Sequence, residues 1–426
     1  MKKVKFFTLG CKVNQYDTQS IREDFFCSGY KESLHNEAAD VYVVNTCTVT
    51  GAADRDSLYY IRRSYRENPH ARIIVTGCLA QLDQDRIKSE PGVVFIVKNK
   101  DKKNIVSLLS GGSQKKNAQS LGNISSFNGH TRTFLKIQDG CNNFCSYCKV
   151  PLVRGRSRSK KIENIVIEAN TLVKNGFKEI VLSGICLGSY GRDLKGTVDL
   201  VAVIDELEKI DGLHRIRLSS IESIDVTGGL ISRLSSSGKL CPHLHIPLQS
   251  GDDKILKLMN RKYTAGGFLS LIKKIRREIP KIALTTDILV GFPGESRLNF
   301  LNTVRLIKKI KPLKVHIFPF SARNGTAACL MDYELTQDDI KERIEFLREV
   351  AQVCSISYIS KFIHKKVDVL VEGQVKGKPD LWEGHTDNYI KVNFYSKVNL
   401  SGRIVRLVSS KISDDVLLAD MPALKG

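Results

Sequence analysis

The chain of 426 residues carries 66 Lys and Arg against 45 Asp and Glu, a formal net charge of +21 at pH 7. Its apolar content of 42% suffices for ordinary cores, but the longest apolar runs, such as Val93–Val97, are far too short to span a bilayer, and eleven cysteines in so long a chain do not make a secreted disulfide scaffold. The length suggests two or three domains, and the charge suggests a polyanionic partner, although a lysine-rich proteome would produce the same excess.

Residues 1–10 are basic and then apolar, with no small-residue cleavage site after them, and read as the first strand of a cytoplasmic protein. Up to about residue 110 strand-like and helix-like runs alternate. Positions 4–9, 41–45 and 73–76 are short and apolar, bounded by glycines or polar residues. Positions 17–27 set Ile21 and Phe25 on one face and end before Gly29, while 52–66 precede Pro69, so both are expected to be helices. This βαβα order predicts a parallel, doubly wound sheet over 1–110. Cys11, Cys47 and Cys78 each follow one of the three strands. The C-terminal ends of parallel strands share one edge, where ligands bind. Three buried core cysteines are the competing reading.

Residues 111–130 are rich in Ser, Gly, Asn and Lys and read as a linker. The segment 131–363 shows six strand-like runs, at 134–137, 180–182, 216–218, 243–246, 284–289 and 315–318, with helical stripes between them. Six βα units are too few for a closed eight-stranded barrel, so a partial (β/α) barrel of six units is expected, with chemistry at the strand C-termini. A long helix, at about 337–363, closes it. Gly184, Gln249, Ser250, Gly291 and Gly294 fall in turns at that edge, where glycine permits close backbone approach to a ligand. In 364–426, strand-like runs at 367–371, 389–393, 400–407 and 416–419 predict a small antiparallel β-barrel. There Trp382, Tyr389 and Lys391 give a thin basic-aromatic hint of nucleic-acid binding.

Cys141, Cys145 and Cys148 form a Cys-x3-Cys-x2-Cys motif directly after the first of the six strands. Three thiolates can hold three irons of a cubane 4Fe–4S cluster, and the fourth iron then stays open to a substrate or cofactor. Zinc is the competing reading, but it usually takes four ligands in two separated pairs, and no such pair follows Cys148. From 149 to 161 six cations occur without an acid, among them Arg154, Arg156 and Arg158. A solvated face is the ordinary reading of a charge run; its position beside a reactive centre favours phosphate contact.

Taken together, these residues resemble the methylthiotransferases of the radical S-adenosylmethionine superfamily. The stretches that carry the resemblance include Thr8-Leu-Gly-Cys-Lys-Val-Asn-Gln-Tyr16, Asn45-Thr-Cys-Thr-Val-Thr50, Ile137-Gln-Asp-Gly-Cys-Asn-Asn-Phe-Cys145, Arg154-Gly-Arg-Ser-Arg-Ser159, Arg215-Ile-Arg-Leu-Ser-Ser-Ile-Glu222 and His243-Leu-His-Ile-Pro-Leu-Gln-Ser-Gly251. Among the branches they look like the one acting on N(6)-threonylcarbamoyladenosine beside the tRNA anticodon. Lys149 departs from the family pattern, which carries an aliphatic residue there.

The resemblance implies three domains, the last of them TRAM-like. It implies two 4Fe–4S clusters, a radical one on Cys141, Cys145 and Cys148 and an auxiliary, sulfur-carrying one on Cys11, Cys47 and Cys78. S-adenosylmethionine is the implied second cofactor, with Gly184, Gln249, Ser250, Gly291 and Gly294 as candidate contacts, and Arg154, Arg156 and Arg158 are candidate tRNA contacts. The reaction implied is methylthiolation of adenine carbon 2 at position 37, with a sulfur donor and an electron donor as further partners, by a monomer without membrane association. Cys27, Cys186, Cys241, Cys329 and Cys354 are left as structural, although Cys186 follows the second barrel strand. A threonylcarbamoyl group ends in a carboxylate and needs cations, for which Arg154, Arg156 and Arg323 are candidates. The competing functions are a sister enzyme acting on isopentenyladenosine, one acting on an aspartate of a ribosomal protein, and a non-catalytic tRNA-binding protein that keeps a cluster.

Overall fold

A computed structural model describes residues 1–34, 36–111, 122–196 and 198–421, so positions 112–121 of the expected linker lie outside the described residues. The first region is a parallel sheet of β1 (Lys3–Thr8), β2 (Lys31–Glu32), β3 (Val41–Thr46), β4 (Arg72–Gly77) and β5 (Val93–Val97), in the spatial order β2-β1-β3-β4-β5. Five helices accompany it: α1 (Lys12–Cys27), α2 (Gly51–Glu67), α3 (Cys78–Leu82), α4 (Gln84–Lys88) and α5 (Ile105–Leu109). Every residue of β3 is buried. Tyr42 and Val44 pack with Leu58 and Ile61 of α2, whereas Val41 and Val43 pack with Ile21 and Phe25 of α1. Successive strand residues point to opposite faces, so two apolar layers mean helices on both sides, a doubly wound sheet. The apolar run 93–97, not assigned to a strand from sequence, is the edge strand β5. Helix α1 starts at Lys12 rather than at 17, because Asn14, Asp17, Thr18 and Gln19 are polar yet buried, which hides the helical face from an apolar count.

The central region begins with β6 (Thr133–Lys136), followed by β7 (Gln138–Asp139), which pairs antiparallel with β8 (Arg158–Ser159) across α6 (Val150–Arg154). Five longer-range strands follow: β9 (Glu179–Ser183), β10 (Arg215–Leu218), β11 (His243–His245), β12 (Ala283–Val290) and β13 (Lys314–Pro319). Helices α7 (Ile162–Lys174), α8 (Leu200–Glu208), α9 (Gly228–Ser236), α10 (Asp253–Leu258), α11 (Ala265–Glu278) and α12 (Arg297–Ile310) surround them, and α13 (Gln337–Ile359) packs on β13 and α12. Two parallel sheets, β10-β9-β6 and β11-β12-β13, are joined by parallel bridges from Ile216 to Leu240 and from Ser220 to His245. The result is one open barrel of six strands in chain order. Leu135, Leu182, Ile216, Leu218, Leu244 and Leu284 form its continuous core with the outer helices. The alternate residues, among them Glu179, Arg217, His243, His245 and Asp287, face the hollow, which is therefore polar.

The last region is a closed five-stranded barrel of β14 (Lys366–Gln374), β15 (Leu381–Thr386), β16 (Lys391–Tyr395), β17 (Ile404–Ser413) and β18 (Val416–Asp420). Strand β15 has no sequence counterpart above, because Gly384 and His385 interrupt its pattern. The glycine is required by close packing, since a Cβ there would lie 2.2 Å from Leu370 O. Trp382 is 5% exposed and its indole N–H donates to Ser396 O at 2.9 Å, so it belongs to this core. Tyr389 stacks on His243 and His385, with Arg132 and Arg217 over its ring, and thus plugs the end of the six-stranded barrel. Neither ring is available as a stacking platform for nucleic acid. Within the expected linker, 122–130 is packed. Ile124 and Phe127 are buried, and the Ser125 and Ser126 N–H groups donate to Glu23 of α1. Among the described residues no helix is long and apolar enough to cross a membrane.

Candidate functional site

The register of the first sheet carries Cys11, Cys47 and Cys78 to one edge. Asn45 pairs with Thr76 and with Thr8, and Thr46 pairs with Gly77, so each cysteine lies just past the paired ends. Asn14 ties these loops together, donating from Nδ2 to Leu9 O at 2.8 Å and to Thr46 O at 3.0 Å. Gly10 has φ +90°, and a Cβ on it would lie 2.7 Å from Cys47 Sγ. Burial pushes the Cys47 thiol up to about 11, and the Cys78 and Cys11 thiols are close enough to add to the effect. Cys47 and Cys78 are buried and Cys11 is exposed.

The second set lies in the loop between β7 and α6. Its entry needs a glycine: Gly140 has φ +78°, and a Cβ there would lie 2.1 Å from Arg156 O. Each thiol has a donor. The Asn143 N–H lies 3.4 Å from Cys141 Sγ, the Val150 N–H lies 3.4 Å from Cys148 Sγ, and Arg261 Nη1 lies 3.2 Å from Cys145 Sγ. Such donors favour thiolate sulfur. A hydrogen bond from Cys186 lowers Cys141, whereas burial pushes Cys148 up to about 11. Arg261 is itself held by Glu222 and by the Tyr263 hydroxyl. Below the loop, Ser146 N–H donates to Met259 O at 3.1 Å and the Tyr147 ring packs on Phe292. In both places three converging thiols with polar neighbours suit an iron–sulfur cluster with one iron left open. Cys186 belongs to this site rather than to remote core: it lies beside Cys141, with Ser189 Oγ at 3.1 Å and Asn143 Nδ2 at 3.6 Å from its sulfur.

The two sets lie in neighbouring parts of the fold, because α6, which follows Cys148, packs on α3, which begins at Cys78. Arg154, at the end of α6, is buried in this contact. Its guanidinium binds Asp17 Oδ2 at 3.0 Å, Asp139 Oδ2 at 3.2 Å and the Asn14 side chain. The expected tRNA contact at Arg154 is therefore corrected: its side chain is spent inside the protein and reaches no phosphate. Despite burial, Lys102, Lys136 and Arg154 hold Asp17 well below the usual carboxylate range. Arg323, the other cation considered for a carboxylate ligand, is likewise buried against Thr48 and Asp54. Lys160 is buried against Glu168 and Tyr16. Of the three arginines only Arg156, exposed, and Arg158, half-buried, remain open to solvent.

The glycine-rich turns divide. A Cβ on Gly184 would lie 2.8 Å from Gln138 Oε1, beside the cysteine loop that Gln138 braces through Gly140 O at 2.7 Å. Gln249 holds φ +64° at the end of the hollow, a strained conformation of the kind that clusters at ligand sites. Ser250 is buried and its N–H and hydroxyl serve the turn, the hydroxyl lying 3.4 Å from Thr303 Oγ1. Gly291 faces Ile340 and Tyr333, away from the hollow, and Gly294 lies nearest Leu258. Sequence reasoning missed Arg261, Gln138 and the polar lining of the hollow. A signal for the last exists: Arg215-Ile-Arg217 and His243-Leu-His245 put polar side chains at every second position of strands otherwise apolar.

Comparisons with known proteins agree with this architecture. Residues 3–98 match the family described as Uncharacterized protein family UPF0004, and residues 135–307 match the Radical SAM superfamily. The Threonylcarbamoyladenosine tRNA methylthiotransferase MtaB of Bacillus subtilis (strain 168) is 38% identical, covering 96% of this chain and 93% of its own length. Four relatives with that name are 36–40% identical. A tRNA-2-methylthio-N(6)-dimethylallyladenosine synthase of Desulfitobacterium hafniense (strain Y51) is 34% identical over 96% of this chain and 94% of its own. In fold, the chain is similar to the radical S-adenosylmethionine methyltransferase TsrM of Kitasatospora setae, with a TM-score of 0.53 at 13% identity, covering 75% of this chain and 73% of that one.

Proposed function

The chain belongs to the tRNA methylthiotransferases of the radical S-adenosylmethionine superfamily, enzymes that use two 4Fe–4S clusters and S-adenosylmethionine, and on that premise we propose that it acts on N(6)-threonylcarbamoyladenosine at position 37. The observation that carries the choice of base is the polar hollow of the six-stranded barrel. An isopentenyl group is a short hydrocarbon and would find no apolar wall among Glu179, Arg217, His243, His245 and Asp287. A threonylcarbamoyl group ends in a carboxylate and a hydroxyl, which suit a polar lining rich in cations. The identities lean the same way, at 36–40% for relatives named for the threonylcarbamoyl base against 34% for the dimethylallyl relative.

In this reading Cys141, Cys145 and Cys148 hold one cluster and Cys11, Cys47 and Cys78 the other. Once bound, the two groups supply the electron that cleaves S-adenosylmethionine to a 5′-deoxyadenosyl radical and the sulfur that is methylated and transferred. The protein's own residues set the geometry. Arg261, fixed by Glu222, stabilises the Cys145 thiolate, Gln138 braces the loop, and the Arg154–Asp17–Asp139 network ties that loop to α1, which begins one residue after Cys11. Gly184 and Gln249 line the approach for S-adenosylmethionine. Arg156 and Arg158 meet tRNA phosphates, and a cytoplasmic enzyme of three domains (1–110, 131–363 and 364–426) is the consequence. Deleting the gene and measuring both methylthio nucleosides in tRNA by mass spectrometry tests the substrate. The threonylcarbamoyl product should vanish; loss of the isopentenyl product alone overturns the proposal.

A further inference from the structure

We infer that Lys12 is the residue that selects this substrate, its ammonium pairing with the terminal carboxylate of the threonylcarbamoyl arm at the mouth of the barrel hollow. The inference rests on the proposed substrate for the identity of the arm. Lys12 is the first residue of α1, directly after Cys11, so its backbone is fixed at the sheet edge. Its side chain leaves that edge and crosses into the central region, where Nζ lies 5.9 Å from the Phe134 ring centroid on β6. There its charge is felt through space by Arg132, which precedes β6, by Arg217 on β10 and by Asp287 on β12. His243 on β11 and His316 on β13 feel it too. Phe134 sets the ammonium beside β6, and the groups that feel its charge, Arg217, His243 and Asp287, are those that face the hollow, so Lys12 lies at the hollow's mouth. The residue is nonetheless open to solvent, so the space around it can admit a ligand.

Two further cations beside the hollow are already ion-paired. Arg132 binds Glu372 at 2.6 Å, and Arg217 binds Glu179 through two nitrogens at 2.7 and 3.3 Å. Asp287 accepts from His245 Nε2 at 3.1 Å. Lys12 has no carboxylate within ion-pair reach and no hydrogen-bond partner among the described residues. A cation held near Arg132 and Arg217 without a counter-ion of its own is unfavourable, and an anionic ligand offsets that repulsion. His245, Asp287 and His316 could hold a metal by proximity, their ligand atoms lying within 4.8 Å of one another. Both ring nitrogens of His245 are already engaged, however, the second by Thr285 Oγ1 at 2.8 Å, and Lys12 adds positive field. The field that opposes a metal cation attracts a carboxylate.

The test compares reconstituted wild type, Lys12→Met and Lys12→Arg on two substrates: tRNA bearing threonylcarbamoyladenosine, and the same tRNA with the threonyl carboxylate converted to a methylamide. Wild type should prefer the carboxylate by roughly 10- to 100-fold in kcat/KM, the range of a charged hydrogen bond. Lys12→Met should lose most of that preference through KM, while Lys12→Arg keeps most of it. The preference is a ratio within one preparation, so a variant with less iron or less active protein still reports it. A Lys12→Met enzyme with the wild-type ratio, or one that loses activity equally on both substrates, overturns the inference. Wild type that modifies isopentenyladenosine tRNA and neither of these substrates overturns the substrate proposal instead.

Discussion

Cys141, Cys145 and Cys148 occupy one loop, whereas Cys11, Cys47 and Cys78 come from three strand ends that only the parallel sheet brings to one edge. The loop set owes its geometry to local devices: Gly140, the N–H groups of Asn143 and Val150, and the Arg261 side chain. The sheet set owes its geometry to register and to Asn14. The same ligand chemistry is thus built once from sequence proximity and once from topology, and the two versions should fail under different perturbations.

Removing either set outright gives the largest effect. Anaerobically reconstituted protein should hold about eight irons, two cubanes. Replacing Cys141, Cys145 and Cys148 by Ala should leave about half of that iron and abolish cleavage of S-adenosylmethionine. Replacing Cys11, Cys47 and Cys78 should also leave about half, yet cleavage to 5′-deoxyadenosine should persist without methylthiolation. Iron analysis and product chromatography separate these outcomes, and equal loss of cleavage from both would erase the distinction.

The contact between the two sets is the next target. Arg154→Met leaves Asp17 and Asp139 buried with one partner fewer, and should cost about 3–5 kcal/mol in urea unfolding. A cost below 1 kcal/mol would mean that the network does not lock the two regions together. Acid should act on the same contact. The folded-state pKa values of Asp17 and Asp139 are both depressed, Asp17 by Lys102, Lys136 and Arg154 against its burial, Asp139 by Arg154 and Lys136 against its own. Their contribution is complete above the ordinary value of 3.8 and disappears as pH falls below it. Midpoints of thermal unfolding should therefore drop below about pH 4, and Arg154→Met should flatten that dependence.

Glycine substitutions perturb each set alone. Gly77→Ala places a Cβ 2.3 Å from Thr46 O at φ +98°, and Gly140→Ala places one 2.1 Å from Arg156 O at φ +78°. Each should cost about 1–3 kcal/mol. The first should deplete iron from the sheet set while cleavage of S-adenosylmethionine survives, and the second should do the reverse; a shared defect would show that the sets are not independent. The smallest effects belong to the surface. Arg156→Ala and Arg158→Ala should change stability by no more than about 0.5 kcal/mol and reduce the salt slope of tRNA binding by about one each. A slope unchanged in the double variant removes both from the interface.

The six-stranded barrel was legible in the chain because each strand is a short apolar run followed by a turn and a helical stripe, and all six expected runs coincide with β6 and β9 to β13. The edge strand β5 was passed over although Val93–Val97 is a β-branched and aromatic run after Gly92, and strand β15 has no such pattern, because the packing of Gly384 on Leu370 rather than an apolar alternation makes it. Both sets of three cysteines could be picked out by position. Arg154 could not be sorted from Arg156, because a charge run looks the same whether a cation meets solvent or a buried carboxylate.

The order of residues therefore determined which elements form, and it put a cysteine at each ligand-facing end, because periodicity and spacing are local properties of the chain. What met across the chain was decided only by the tertiary structure. Asp17 and Arg154 are far apart in sequence and bound to each other in the fold. Lys12, one of many lysines in composition, becomes a cation without an ion-pair partner among the described residues, set beside Phe134 and the charges of Arg132, Arg217 and Asp287 only by the fold. A charge acquires its role from the dielectric and the partners around it, and those exist only once the chain has folded.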